Sequence, residues 1–212
     1  MNKAWLSTLS TALVALSLGS GCEMEQPADF PSQAELYGDV PDYRTFDERD
    51  EDYPGVVLRS TRRTILAARV NDAGILGIGI NLGRYQDAGD RSLRGQVFGQ
   101  RVDLQVAEGR VSGFVSGTLA VDVSSTREQG TLHVRGLVRG RAAEYRLDEQ
   151  RLSGTLGRCR YDLARAGDQH YQGEVHCDGQ SHHVVRLKLP PELGRWTDPE
   201  VGAALGLLLG GA

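Results

Sequence analysis

RSLRGQVFGQRVDLQV, residues 91–106, holds two alternating runs, Leu93-x-Gly95-x-Val97 and Val102-x-Leu104-x-Val106. A period of two places all of these apolar residues on one face of an extended chain. Arg94, Gln96, Asp103 and Gln105 fall on the other face. The first run recurs as Val111-x-Gly113-x-Val115, Val134-x-Gly136-x-Val138, Leu152-x-Gly154-x-Leu156 and Tyr171-x-Gly173-x-Val175, with glycine intervals of 18, 23, 18 and 19 residues. The second run has counterparts in Leu119-x-Val121-x-Val123, Tyr145-x-Leu147, Tyr161-x-Leu163 and Val185-x-Leu187-x-Leu189. Polar breaks fall at 107–109, 124–130, 148–150, 166–168 and Asp178-Gly179, the last suited to a primed turn with positive φ. Upstream, Val56–Ser60, Thr64–Val70 and Ile75–Leu82 read as further strands.

This pattern predicts an all-β fold: an antiparallel meander of repeated hairpins, curved or barrel-like, with one face buried. The alternative is a β-solenoid. Over residues 93–175 the glycine–aliphatic spacing resembles the repeats of bactofilins, a family of polymerising scaffold proteins. That resemblance implies one coil per repeat; it departs in the explicit turns and in the seven-residue break at 124–130. Glycine inside a strand weakens it, so five at one position need a reason. Either the sheet coils tightly there or another element approaches the backbone. The expected element is a short C-terminal helix, announced by the capping box Thr197-Asp198-Pro199-Glu200 and the apolar run Val201–Leu209. Gly136 and Gly154 are expected on the buried face, against that helix or a facing strand.

The first residues carry a different message. Lys3, an uncharged apolar run from Trp5 to Leu18, and Gly19-Ser20-Gly21 before Cys22 follow the order of an export signal. The segment resembles the leaders of bacterial lipoproteins, although Leu18 sits one place early for the usual box. The resemblance implies a signal peptide over 1–21, lipid on Cys22 and a place in the cell envelope, on the inner or outer membrane, with the domain outside the cytoplasm. Glu23–Pro54 holds 11 acidic residues against Arg44 and Arg49, a net charge of −9, and four prolines. It reads as a solvated tether over 22–54. A repeat-containing β domain (55–190) and a C-terminal segment with the apolar helix (191–212) complete the chain. Residues 55–212 carry 21 basic against 17 acidic side chains, nearly all of the positive charge being arginine.

With Cys22 lipidated, Cys159 and Cys177 remain, in a compartment where disulfides persist. A hairpin folded about residue 168 makes facing positions sum to 336, and 159 and 177 do. A disulfide is therefore predicted between them.

Motifs for chemistry are thin. Gly113-Phe114-Val115-Ser116-Gly117 places its serine one position late for a nucleophile elbow. Gly77-x-Gly79 with Gly83 misses a dinucleotide fingerprint. Asp47–Asp52 lacks the ligand spacing and glycine of an EF-hand loop. His170, His176 and His182 are evenly spaced, but strand alternation among Gln172 and Glu174 reads as solvent exposure, so no metal site is assigned. No catalytic residues, metal or cofactor are assigned, and no arginine cluster interleaves aromatics as nucleic-acid binding would require. The expected function is a lipid-anchored, non-catalytic envelope module that binds or assembles with a protein partner. The alternatives are a carrier of a small apolar ligand inside a barrel, and a hydrolase whose site is assembled from separated residues.

Overall fold

A computed structural model of the chain describes residues 55–60, 63–87, 89–178 and 181–210. The leader, Cys22 and the acidic segment lie outside the described residues. Four strands come first: β1 (Gly55–Ser60), β2 (Arg63–Asn71), β3 (Gly74–Gly77) and β4 (Ile80–Gln86). The repeat region forms β5 (Arg91–Val97), β6 (Gln100–Ala107), β7 (Arg110–Val115), β8 (Leu119–Glu128) and β9 (Thr131–Val138). It continues through β10 (Arg141–Leu147), β11 (Arg151–Leu156), β12 (Cys159–Gly167), β13 (His170–Cys177) and β14 (Ser181–Lys188). A 3-10 turn (Pro191–Arg195) leads into helix α1 (Asp198–Leu209).

Every strand pairs antiparallel with its neighbours in sequence, and β1 pairs with β14, so the meander closes into a barrel. The solenoid alternative, with coils stacked in one direction, is thereby excluded. The 18-residue spacing is the length of one hairpin. Each recurrent glycine run is one strand of that hairpin, and the second alternating run is its return strand.

Turn chemistry explains two departures from the sequence reading. At Phe98-Gly99 both residues have positive φ, 53° and 73°, the geometry of a two-residue primed turn whose twist matches that of its strands. The same pair of positive φ values recurs at 116–117, 129–130 and 139–140. The polar stretch 124–130 is therefore no loop: β8 runs on to Glu128, which pairs with Thr131 across a tight turn. Likewise Ile75–Leu82 is two strands, because Gly79 has φ 69° and folds β3 onto β4.

The recurrent glycines curve the wall. Gly154 lies between Tyr145 of β10 and Tyr161 of β12 and has φ 136°, a conformation costly for any residue with a Cβ. A Cβ there would come within 2.3 Å of the Glu144 carbonyl oxygen and 2.4 Å of the Tyr145 Cα. Gly95, Gly113, Gly136 and Gly173 meet the preceding strand in the same way. The close approach thus comes from the neighbouring strand, as a glycine kink that bends a sheet into a barrel. It does not come from the helix, and Gly136 is exposed, not buried.

A barrel of fourteen strands is wider than wall side chains alone can fill, since about eight strands already suffice for a side-chain-packed interior. Helix α1 occupies the remainder. From Pro199 to Leu209 every residue is buried. The helix is reached from strands far apart on the wall: β4, β8, β9, β10 and β12 all supply contacts. An interior helix has no wet side, which is why Val201–Leu209 is apolar all round and not amphipathic. Gly202 and Gly206 set the fit to one side, because a Cβ on them would strike Val134 and Val138 of β9.

Candidate functional site

The inside of the barrel is closed chemistry. Among the described residues, several of its polar groups hold α1. The Tyr145 hydroxyl donates to the Gly202 carbonyl at 2.5 Å, and the Tyr161 hydroxyl donates to the Leu209 carbonyl at 2.8 Å. Burial raises the pKa of both hydroxyls, that of Tyr161 to about 12, so both remain neutral donors. At the entry end, Glu200 is fully buried and takes a fork of two hydrogen bonds from Arg84, at 2.8 and 2.9 Å. The Thr197 amide donates to the same carboxylate at 2.8 Å, the capping contact expected from the sequence, and the Thr197 hydroxyl donates to it as well at 2.8 Å. Burial alone would raise the Glu200 pKa; the Arg84 and Thr197 hydrogen bonds outweigh it and the net shift is downward. The Trp196 indole donates to the Asn71 carbonyl, and Arg84 lies over its ring. At the far end Arg139, its side chain over the Phe98 ring, donates to the Leu207 carbonyl near the helix C-terminus, where a cation is favoured.

The outside has another composition. Its ridges carry Arg94, Asp103, Arg110, Asp122, Arg151 and Asp162, joined across neighbouring strands as ion pairs. A barrel wall in lipid would present an apolar band instead. Exposed large apolar side chains are few among the described residues: Ile78, Phe114, Leu119, Leu137 and Val184. No helix of the described residues is long and apolar enough to cross a membrane.

Several depressions mark the protein surface, and one of them crosses four strands of the repeat region. Around Gly154 of β11, a groove of about 740 Å³ runs across β9 to β12. Two rows of side chains line it, set by strand register. The first is Arg135–Glu144–Thr155–Arg160 and the second is His133–Arg146–Ser153–Asp162. Arg135 lies 3.1 Å from Glu144, and Arg151 forks onto Asp162 at 2.8 and 2.7 Å. Arg146 donates only to the Ser153 hydroxyl, at 2.9 Å, and Arg160 has no partner among the described residues. The groove therefore holds two cations in excess, on either side of β11, with hydroxyls between them.

The residues singled out from sequence fall elsewhere. Cys159 and Cys177 face each other in register on β12 and β13 and form a disulfide, as the sum of 336 requires. The hairpin keeps that register to Arg165–Tyr171 and shifts by one at Gly167. His176 is exposed and contacts Glu174, and His170 turns to the Asp168 carbonyl. Among the described residues no cluster of His, Cys, Asp and Glu could hold a metal. Ser116 is a turn residue with positive φ, not a nucleophile at a strand end. Nothing local in the sequence marks Arg146 and Arg160, since the groove depends on which strands become neighbours.

The fold and surface define a small, helix-filled antiparallel barrel with an ionic outer wall. No protein-family model matches the chain, and no curated protein or solved structure matches it.

Proposed function

We propose that this protein is a lipid-anchored bacterial envelope module that works by binding through its outer wall, without catalysis of its own. The observation that carries the reading is the filled interior. Leu205, Leu207, Leu208 and Leu209 of α1 lie fully buried where a carrier would hold its ligand. A carrier reading fits the barrel shape, but it requires the helix to leave. That would expose Val201, Ala203, Ala204, Leu205, Leu207, Leu208 and Leu209, each fully buried large side chain contributing about 1.5–3 kcal/mol. The polar contacts that remain available to another molecule lie outside.

The leader and Cys22 support the anchor. The chain enters β1 at Gly55, at the barrel end where α1 begins, because Val57 pairs with Lys188 just before the 3-10 turn. An anchor upstream of Gly55 would connect to the barrel through that end. The test is metabolic labelling with a fatty acid, together with cross-linking in intact cells. Labelling that is lost with Cys22→Ala, and a cross-linked envelope partner, are the expected results. Absence of label on the wild type refutes the anchor. A tightly held apolar molecule in the purified protein would favour the carrier instead.

A further inference from the structure

The groove over β9–β12 has a composition that selects its ligand, and this inference rests on the outer-wall reading above. We propose that the groove binds an acidic polysaccharide, with Arg146 and Arg160 taking the anionic groups of the polymer.

Three features lead there. The two arginines sit on β10 and β12 with β11 between them, so they present guanidinium groups on either side of one strand. Neither is neutralised by a carboxylate among the described residues, unlike Arg135 and Arg151 in the same groove. A guanidinium fork matches a carboxylate, phosphate or sulfate oxygen pair. Second, Ser153 and Thr155 lie between them and can both donate and accept. Third, Glu144 and Asp162 stay about half exposed or more within their ion pairs, with oxygen lone pairs open to solvent. Carboxylates repel the backbone of a nucleic acid, and the groove offers no exposed Phe, Tyr or Trp on which a base could stack. The same carboxylates accept hydrogen bonds from sugar hydroxyls. Spaced cations among hydroxyls and acceptors suit a chain that carries both acid groups and many hydroxyls. The depression is open to solvent and its lining spans four neighbouring strands, which suits an extended polymer better than a compact ion.

The experiment uses the full chain purified in detergent, with polygalacturonate as the probe. Dextran serves as the neutral polymer and an oligothymidylate of matched charge as the polyphosphate. The expected result is binding of polygalacturonate at low salt that weakens steeply as salt rises. Arg146→Glu with Arg160→Glu should weaken it at least tenfold with the barrel still folded, Arg91→Glu on β5 should not, and Arg146→Lys with Arg160→Lys should keep most of it. Should the double reversal fail to fold, Arg160→Gln alone is expected to weaken binding severalfold. No binding at low salt, equal binding by the reversal variant, equal binding of dextran, or tighter binding of the oligothymidylate each overturns the inference. If the groove variants bind as the wild type while cross-linking to an envelope partner persists, this inference fails and the broader reading stands. If an apolar molecule is found inside the barrel, the broader reading fails.

Discussion

Replacing Gly154 with Ala should cost far more than the same change at Gly117, although both glycines sit in one repeat system. At Gly154 the new methyl would lie 2.3 Å from the Glu144 carbonyl oxygen and 2.4 Å from the Tyr145 Cα, both backbone atoms that cannot rotate away. The backbone also holds φ at 136°, so conformational strain of about 1–3 kcal/mol adds to the clash. Overpacking against fixed neighbours contributes about 1–3 kcal/mol more. The expected loss is therefore about 2–6 kcal/mol, a large share of a domain stability of about 5–15 kcal/mol. At Gly117 nothing lies within 4 Å of the position a Cβ would take, and φ is 73°. Only the left-handed preference is lost there, about 1–2 kcal/mol. Urea unfolding of the two variants beside the wild type measures the difference, provided the slope is unchanged. Thermal unfolding gives a parallel reading, with a shift of about 2–4 °C per kcal/mol at this chain length. Equal losses at the two sites would refute the argument that the recurrent glycines allow one strand to kink against the next.

Three further outcomes follow from the same geometry. Glu200→Gln leaves Arg84 buried without its counter-charge and should cost about 3–5 kcal/mol by urea unfolding. Because the Glu200 pKa is lowered by folding, its contribution is present above the unfolded carboxylate pKa and is lost as pH falls through the folded value. The Glu200→Gln variant should accordingly show a flatter loss of stability with acid than the wild type. Cys159→Ala with Cys177→Ala opens a loop with a sequence separation of 18 and should lower stability by about 3 kcal/mol; non-reducing peptide mapping of the wild type should find the two cysteines joined. Cys22→Ala should abolish fatty-acid labelling and release the protein from membrane fractions, and unchanged fractionation would contradict the anchor.

Much of the architecture could be read along the chain because a β-strand writes its burial in alternate residues. Leu93, Val97, Val102 and Leu104 are inward and buried in the structure as their spacing implies. The Cys159–Cys177 pairing followed from one turn, since an antiparallel register is fixed once its fold point is known. The turns at 98–99, 116–117 and 139–140 were less visible. Only their second residue is glycine; Phe98, Ser116 and Arg139 adopt positive φ because the hairpin twist demands it. The stretch 124–130 was mistaken for a loop for a related reason. Thr126 and Glu128 extend the outer face of β8, and polarity there is indistinguishable from loop polarity. The purpose of the strand glycines was half legible. That a backbone comes close could be inferred, but the identity of that backbone depends on pairing. The groove was not legible at all, because Arg146, Ser153 and Arg160 meet only after three strands take their register.

The central claim is that the barrel interior belongs to helix α1 and that the protein binds with its outside. Native mass spectrometry of the chain purified from a bacterial envelope tests it most directly. The account predicts the mass of the processed, acylated chain with no apolar molecule retained, while a stoichiometric lipid or other apolar ligand held inside the barrel would contradict it.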